Sequence, residues 1–101
     1  MSSPDIPMPE VTFSTFIMSM ASSALVQLGE VPNPETGEIQ EDLLLARHTI
    51  DVLDMLREKT ENSLDEKERR LIYDLLYELR IKYVSKAGPE AKESGTSLEK
   101  P

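Results

Sequence analysis

The sequence predicts an all-α fold, in which a short helix precedes a long antiparallel helical hairpin and the three helices form one domain. Three observations predict it. Apolar residues recur at intervals of three and four in three separate stretches of the chain. Prolines and glycines divide the first stretch from the second, and a short polar break divides the second from the third. No pair of alternating apolar segments indicates a β-hairpin.

The helical domain is predicted to span residues 12–85, between two ends of different composition. Residues 1–11 contain three prolines and are predicted to form a flexible arm. Residues 86–101 are poor in apolar side chains, so burial cannot offset the entropy lost on ordering, and a disordered tail is predicted. A domain this small, without cysteine, has a marginal core, and a partner chain is the expected supplement.

The first helix is predicted from about Ser14 to Leu28. Thr12 or Ser14 has the side chain of an N-cap, and Gly29 stands where helices commonly end in a left-handed conformation. Its apolar side chains follow helical spacing along one face, while small hydroxylated side chains occupy the other. The segment EVPNPETGE then predicts a turn, because its two prolines prevent the helix from continuing.

The second helix is predicted from about Gln40 to Thr60 and the third from Leu64 to about Val84. Ser63 and Glu66 have the Ser-x-x-Glu spacing of a capping box, which predicts the start of the third helix. A break of roughly two to four residues between these helices makes them antiparallel neighbours.

The third helix carries more apolar surface than a three-helix monomer needs. Two tyrosines and two β-branched residues continue its apolar surface beyond the face that the core requires. This surplus predicts contact with another chain, most simply in a two-fold homodimer. The first helix is predicted to contribute as well. The predicted interface residues are Phe13, Phe16, Ile17, Met20, Ala24, Tyr73, Tyr77, Ile81 and Val84.

A membrane-associated first helix is the alternative for residues 11–29, which contain 19 consecutive uncharged residues. Six of them are Ser or Thr, and neither flank carries the basic or aromatic belt of a spanning helix, so a helix enclosed by protein is favoured. The residues before this run include two acidic and no basic side chains, unlike a secretory signal. We therefore expect a cytoplasmic protein.

The charge and the residue inventory narrow the classes of function. A formal net charge of −8 without a basic stripe opposes binding to nucleic acid. His48 is the only histidine, and with Asp51 it supplies too few ligands for a stable metal site. The acidic turn at residues 30–38 lacks the spacing of a calcium loop, and whether it binds an ion stays open. No cofactor, metal or catalytic residue is predicted, and we expect that the protein is not an enzyme.

Two long stretches carry a family resemblance. The stretches are FSTFIMSMASSALVQLGEVPNPETGE and, after it, ARHTIDVLDMLREKTENSLDEKERRLIYDLLYELRIKYV. Together they resemble a bacterial family of small proteins known as domain of unknown function 1844. The resemblance covers about residues 12–84. It implies a mostly helical domain that forms most of a short protein, and it implies no activity or catalytic residues.

Three functional hypotheses follow. The first is a non-enzymatic helical interaction module that self-associates. The second is an accessory or regulatory subunit that docks through its apolar face onto a larger bacterial complex, with a protein partner that the sequence does not identify. The third is association with a membrane through residues 11–29.

Overall fold

The computed structural model describes residues 8–88 of the chain, and these residues form three α-helices without a strand. The helices are α1 (Phe13–Gln27), α2 (Leu43–Lys59) and α3 (Glu66–Ala87). The predicted all-α class and three-helix architecture are confirmed. Residues 1–7 of the predicted arm and 89–101 of the predicted tail lie outside the described residues. α3 continues to Ala87, so the first two residues assigned to the tail belong to a helix.

α1 begins and ends as its sequence predicts. The Thr12 hydroxyl accepts the N–H of Thr15 at 3.0 Å, and the Thr15 hydroxyl accepts the N–H of Thr12 at 3.1 Å, which completes a capping box. At the other end Gly29 has φ +76°. Its N–H donates to the carbonyl of Val26, and the N–H of Glu30 donates to the carbonyl of Leu25, both at 2.9 Å. This is a Schellman motif.

The turn between α1 and α2 is organised by Asn33. Its side-chain oxygen accepts the N–H of Glu35 at 2.8 Å, and its carbonyl accepts the N–H of Gly37 at 2.7 Å. Its own N–H donates to the carbonyl of Glu38 at 2.9 Å. The segment NPETGE therefore closes on itself through local hydrogen bonds, as Asn and Gly favour at turn positions.

α2 starts at Leu43, three residues after the predicted start. Asp42 is the N-cap, and its carboxylate accepts the N–H of Leu45 at 3.1 Å. The N–H of Asp42 donates to the carbonyl of Gln27 at 2.7 Å. This bond fastens the start of α2 to the end of α1 and holds Asp42 in a non-helical conformation, so the helix cannot begin earlier.

The predicted capping box of α3 was wrong by two residues. Asp65 is the N-cap: its carboxylate accepts the N–H of Glu68 at 2.8 Å, and Glu68 accepts the N–H of Asp65 at 3.0 Å. Ser63 instead donates its N–H to Thr60 within the preceding turn. Leu64, where the helix was predicted to begin, lies outside the helix and packs against the core immediately before the cap.

Ion pairs between helices establish their directions. Asp54 of α2 contacts Arg80 of α3, while Glu61, just beyond α2, contacts Arg69 of α3, so these two helices are antiparallel. At the opposite end of the domain, Glu30 contacts Lys82 at 3.8 Å, which places the end of α1 beside the end of α3. α1 and α3 are therefore parallel, and every pair of helices is in contact.

The core lies between the three helices and is made of aliphatic side chains. Alanines from α1 and α2 are among them, and their small size permits close approach of the two helices. Thr49 is the one buried polar residue recorded in the described part of the chain, and its hydroxyl donates to Gln27 at 2.8 Å. The buried apolar side chains are Ile17, Ala21, Ala24, Leu28, Ala46, Ile50, Leu53, Ile72, Leu76 and Leu79.

Among residues 8–88, no helix combines the length and the apolar character needed to cross a membrane. α1 has 15 residues, and one of its faces is buried against α2 and α3. The uncharged run at residues 11–29 is therefore the first helix of the bundle, with its hydroxylated side toward solvent.

Candidate functional site: the groove between α2 and α3

The predicted interface residues of α1 do not form one surface. Ile17 and Ala24 are fully buried in the core of this chain, and Phe13 and Met20 pack against that core. Phe16 alone among the five has more than half of its surface exposed, at 53%. The face of α1 that carries Ala24 therefore packs within its own chain.

The predicted interface residues of α3 do lie together, on a surface that the bundle leaves uncovered. Tyr73, Tyr77 and Ile81 are 44%, 69% and 51% exposed, and Val84 continues their line along the helix. We call these four residues the α3 stripe. The side chains that line the core, including Leu76, occupy the neighbouring face of the same helix. The surplus of apolar surface predicted for α3 is thus present in the fold.

The α3 stripe forms one wall of an open groove of about 960 Å³ between α2 and α3. No residue of α1 lines this groove, so the predicted α1 and α3 contributions to an interface are not brought together. The groove is lined by Asp54, Arg57, Tyr73, Leu76, Tyr77, Arg80, Ile81 and Val84.

Two arginines share one carboxylate along the α2 side of the groove. Arg57 Nε donates to Asp54 Oδ1 at 2.9 Å, and Arg80 Nη2 lies 3.2 Å from the same oxygen. The guanidinium of Arg57 also lies over the ring of Tyr73, 5.7 Å from its centroid, in a cation–π arrangement. These contacts join α2 to α3 and hold the Tyr73 ring against the wall of the groove.

The hydrogen bond to Asp54 raises the pKa of the Arg57 guanidinium above its ordinary value, with the neighbouring Tyr73 acting in the same direction and burial opposing them. Arg57, whose guanidinium is already cationic near neutral pH, therefore keeps its positive charge there. The groove thus presents aromatic and aliphatic surface beside a guanidinium that is ion-paired to Asp54 and, at 3.6 Å, to Glu61.

The polar side of the groove was not predicted from the sequence. The side chain of Asp54 is only 34% exposed and bridges two helices. The spacing of Asp54 and Arg57 at i and i+3 was the available signal for part of this arrangement. The contribution of Arg80 depends on the packing of α3 beside α2, which local spacing does not reveal.

The other candidates for chemistry lie apart from the groove. His48 and Asp51 are exposed on α2. Within the described residues, no group of three or more His, Cys, Asp or Glu side chains is placed to hold a metal ion. In the acidic turn, the side chains of Asn33 and Thr36 form hydrogen bonds with the backbone of the turn, and Asn33 also donates to the side chain of Gln40.

The fold and the groove define a class of protein: a small three-helix bundle whose hairpin presents an uncovered apolar and arginine-lined face. Residues 10–85 of the chain match the model of a family described as Domain of unknown function (DUF1844), and the chain belongs to this family. The resemblance identified in the sequence is therefore confirmed. No curated protein and no solved structure matches the chain.

Proposed function

We propose that this protein is a non-enzymatic helical interaction module that self-associates through the groove between α2 and α3. The observation that carries the proposal is the exposed α3 stripe, which the chain's own three helices leave uncovered. Tyrosine and arginine are enriched at the energetic centres of protein interfaces, and Tyr73, Tyr77 and Arg57 meet in this groove.

A second copy of the chain is the proposed occupant of the groove. The charge distribution supports this choice, because the chain carries a formal charge of −8 whereas the groove is lined by two arginines and one aspartate. Two acidic copies that meet at this face therefore repel each other less than two copies that meet through other parts of their acidic surface. Burial of the stripe also adds apolar contact to a domain whose own core is small.

Replacement of Tyr77 tests the proposal. Tyr77→Glu removes the most exposed ring of the stripe and introduces a charge at its centre, so the dimer is expected to dissociate while the monomer stays folded. Leu44→Glu is the matched control, because Leu44 is 82% exposed on α2 and does not line the groove. Molar mass by sedimentation equilibrium and helicity by circular dichroism are the measurements.

We expect Tyr77→Glu to sediment as a monomer with unchanged helicity and Leu44→Glu to sediment as the wild type does. Equal dissociation of both variants would contradict the assignment to the groove. A wild-type protein that stays monomeric would contradict self-association itself and would favour docking of the same face onto a larger complex.

A further inference from the structure

The predicted arm at residues 1–11 carries a proline-rich segment. This segment, PDIPMP at residues 4–9, contains three of the seven prolines of the chain. Prolines at this density favour polyproline II, an extended helix without internal hydrogen bonds. Three residues make one turn of that helix, so Pro4 and Pro7 would lie on the same side of it. The sequence therefore predisposes the segment to an extended form whose carbonyls can accept hydrogen bonds from another surface.

The described end of the arm is not covered by its own domain. Met8 is 81% exposed and Val11 is 98% exposed. The hydroxyl of Thr15 donates to the carbonyl of Glu10, which attaches the arm to the first turn of α1. The arm therefore leaves the end of the bundle with apolar side chains that the helices of the same chain do not bury.

The groove between α2 and α3 matches such a segment in chemistry and in length. Aromatic-lined grooves bind polyproline II segments, and Tyr73 and Tyr77 line this groove about one helical turn apart. From Tyr73 to Val84 the α3 stripe is about 16 Å long, given a rise of about 1.5 Å per residue. From Pro4 to Pro9 a polyproline II segment also spans about 16 Å, given about 3.1 Å per residue.

The wall of the groove presents its aromatic rings in a form ready for contact. The ring of Tyr73 is held by the guanidinium of Arg57, 5.7 Å from its centroid, and Tyr77 is 69% exposed. Arg57 and Arg80 are both paired with Asp54, so the groove attracts a ligand through rings and hydroxyl groups and not through free charge. Tyrosine rings pack against prolines, and tyrosine hydroxyls donate to peptide carbonyls.

Building on the proposed self-association, we infer that residues 4–9 of each copy bind as a polyproline II segment in the α2–α3 groove of the second copy. Two-fold symmetry makes the exchange reciprocal, so that each groove receives one arm. Polyproline II is stiff before it binds, so little conformational entropy is lost when the arm is ordered. The occupant of the groove in the proposed dimer is therefore a proline-rich peptide of the same chain type.

Exchange between copies follows from the place where the arm leaves the domain. No residue of α1 lines the groove, which opens on the outside of the α2–α3 hairpin. An arm that turned back into its own groove would have to pass around this hairpin. Met8 and Val11 are too exposed to lie along either helix of it. A second copy can receive the arm without this detour.

Replacement of prolines tests the inference without a change in the helical domain. Pro4→Gly combined with Pro7→Gly keeps the length and charge of the arm but removes its bias toward polyproline II. The dissociation constant of the dimer, measured by sedimentation equilibrium, is expected to rise about tenfold for each arm. Pro89→Gly combined with Pro101→Gly makes the same exchange near the other end of the chain and is the matched control. This control is expected to associate as the wild type does.

The outcomes separate the arm from self-association itself. Weaker association of the arm variant alone supports the inference. An arm variant that dimerises with wild-type affinity overturns docking of the arm and leaves the proposed self-association intact. A wild-type protein that is monomeric overturns both.

A paramagnetic label shows which chain holds the arm. The chain has no cysteine, so Ser3→Cys places a single label just before the prolines. A spin-labelled copy without isotope is mixed with an isotope-enriched copy without spin label, so that magnetic resonance detects broadening only between copies. The amide signals of Tyr77 and Ile81 are expected to broaden. The signal of Ser22, which is exposed on α1, is the internal control and should broaden less.

The reverse sample tests the route within one chain. A copy that carries both spin label and isotope is diluted into an excess of unlabelled wild-type protein. Broadening at Tyr77 in this sample, without broadening in the mixed sample, overturns the exchange between copies. Broadening at Tyr77 in the mixed sample supports it.

Discussion

Gly29 stops the first helix through a backbone conformation that other residues rarely adopt. Its φ of +76° lies in the left-handed region, and a Cβ added there would lie 3.5 Å from Glu41, an ordinary contact. Gly29→Ala is therefore expected to lower the free energy of unfolding by about 1 kcal/mol through backbone strain alone. Chemical denaturation measures this loss. Gly29→Asn is the control and should lose less, because Asn tolerates the left-handed region.

Asp65 is the N-cap of the third helix, and its replacement is predicted to destabilise that helix. Asp65→Ala removes the carboxylate that accepts the N–H of Glu68, at an expected cost of about 1 kcal/mol in unfolding free energy. Ser63→Ala is the matched control and should change stability by no more than a few tenths of a kcal/mol, because the Ser63 side chain caps nothing in the helix. A larger loss for Ser63→Ala than for Asp65→Ala would contradict the assigned start of α3.

These two residues illustrate how far the sequence determines local structure. The exit from α1 was predicted because a single glycine followed a periodic apolar run. The start of α3 was not, because Ser63 with Glu66 and Asp65 with Glu68 offer overlapping capping boxes. In the fold, Leu64, which lies between the two candidate caps, packs against the core, and Asp65 is the N-cap.

At the scale of one element, α1 has two sides with different tolerance to charge. Ala24 is fully buried, whereas Ser22 is exposed on the same helix. Ala24→Arg is expected to abolish cooperative folding, because a guanidinium without a partner cannot be accommodated in the core. Ser22→Arg should leave the melting curve nearly unchanged. A folded Ala24→Arg protein, judged by circular dichroism, would contradict the burial of this face.

The sequence predicts the features of a single helix better than it predicts the contacts between two helices in the groove. The apolar stripe of α3 follows from periodicity within one helix, so Tyr73, Tyr77 and Ile81 were identified in advance. The joint contact of Arg57 and Arg80 with Asp54 arises between two helices. Their relative rotation sets it, and a periodic pattern in either helix alone does not contain that information.

At the scale of the whole molecule, the three helices of the described residues enclose the core and form the groove between α2 and α3 on its outside. α1 covers the inner faces of the hairpin but contributes nothing to the α2–α3 groove, so this groove keeps its tyrosines exposed in the monomer. Self-association through this groove therefore requires no rearrangement of the three helices. A variant at an exposed groove residue such as Tyr77 is therefore expected to stay folded as a monomer, which separates loss of association from loss of structure.

The molar mass of the wild-type protein across a range of concentrations tests self-association most directly. Sedimentation equilibrium is expected to show a mass that rises with concentration toward twice the 11.4 kDa of one chain. The fluorescence of the tyrosines should change over the same range, because the exposed Tyr73 and Tyr77 belong to the proposed interface. A mass of 11.4 kDa at every concentration, with unchanged tyrosine fluorescence, would contradict the account.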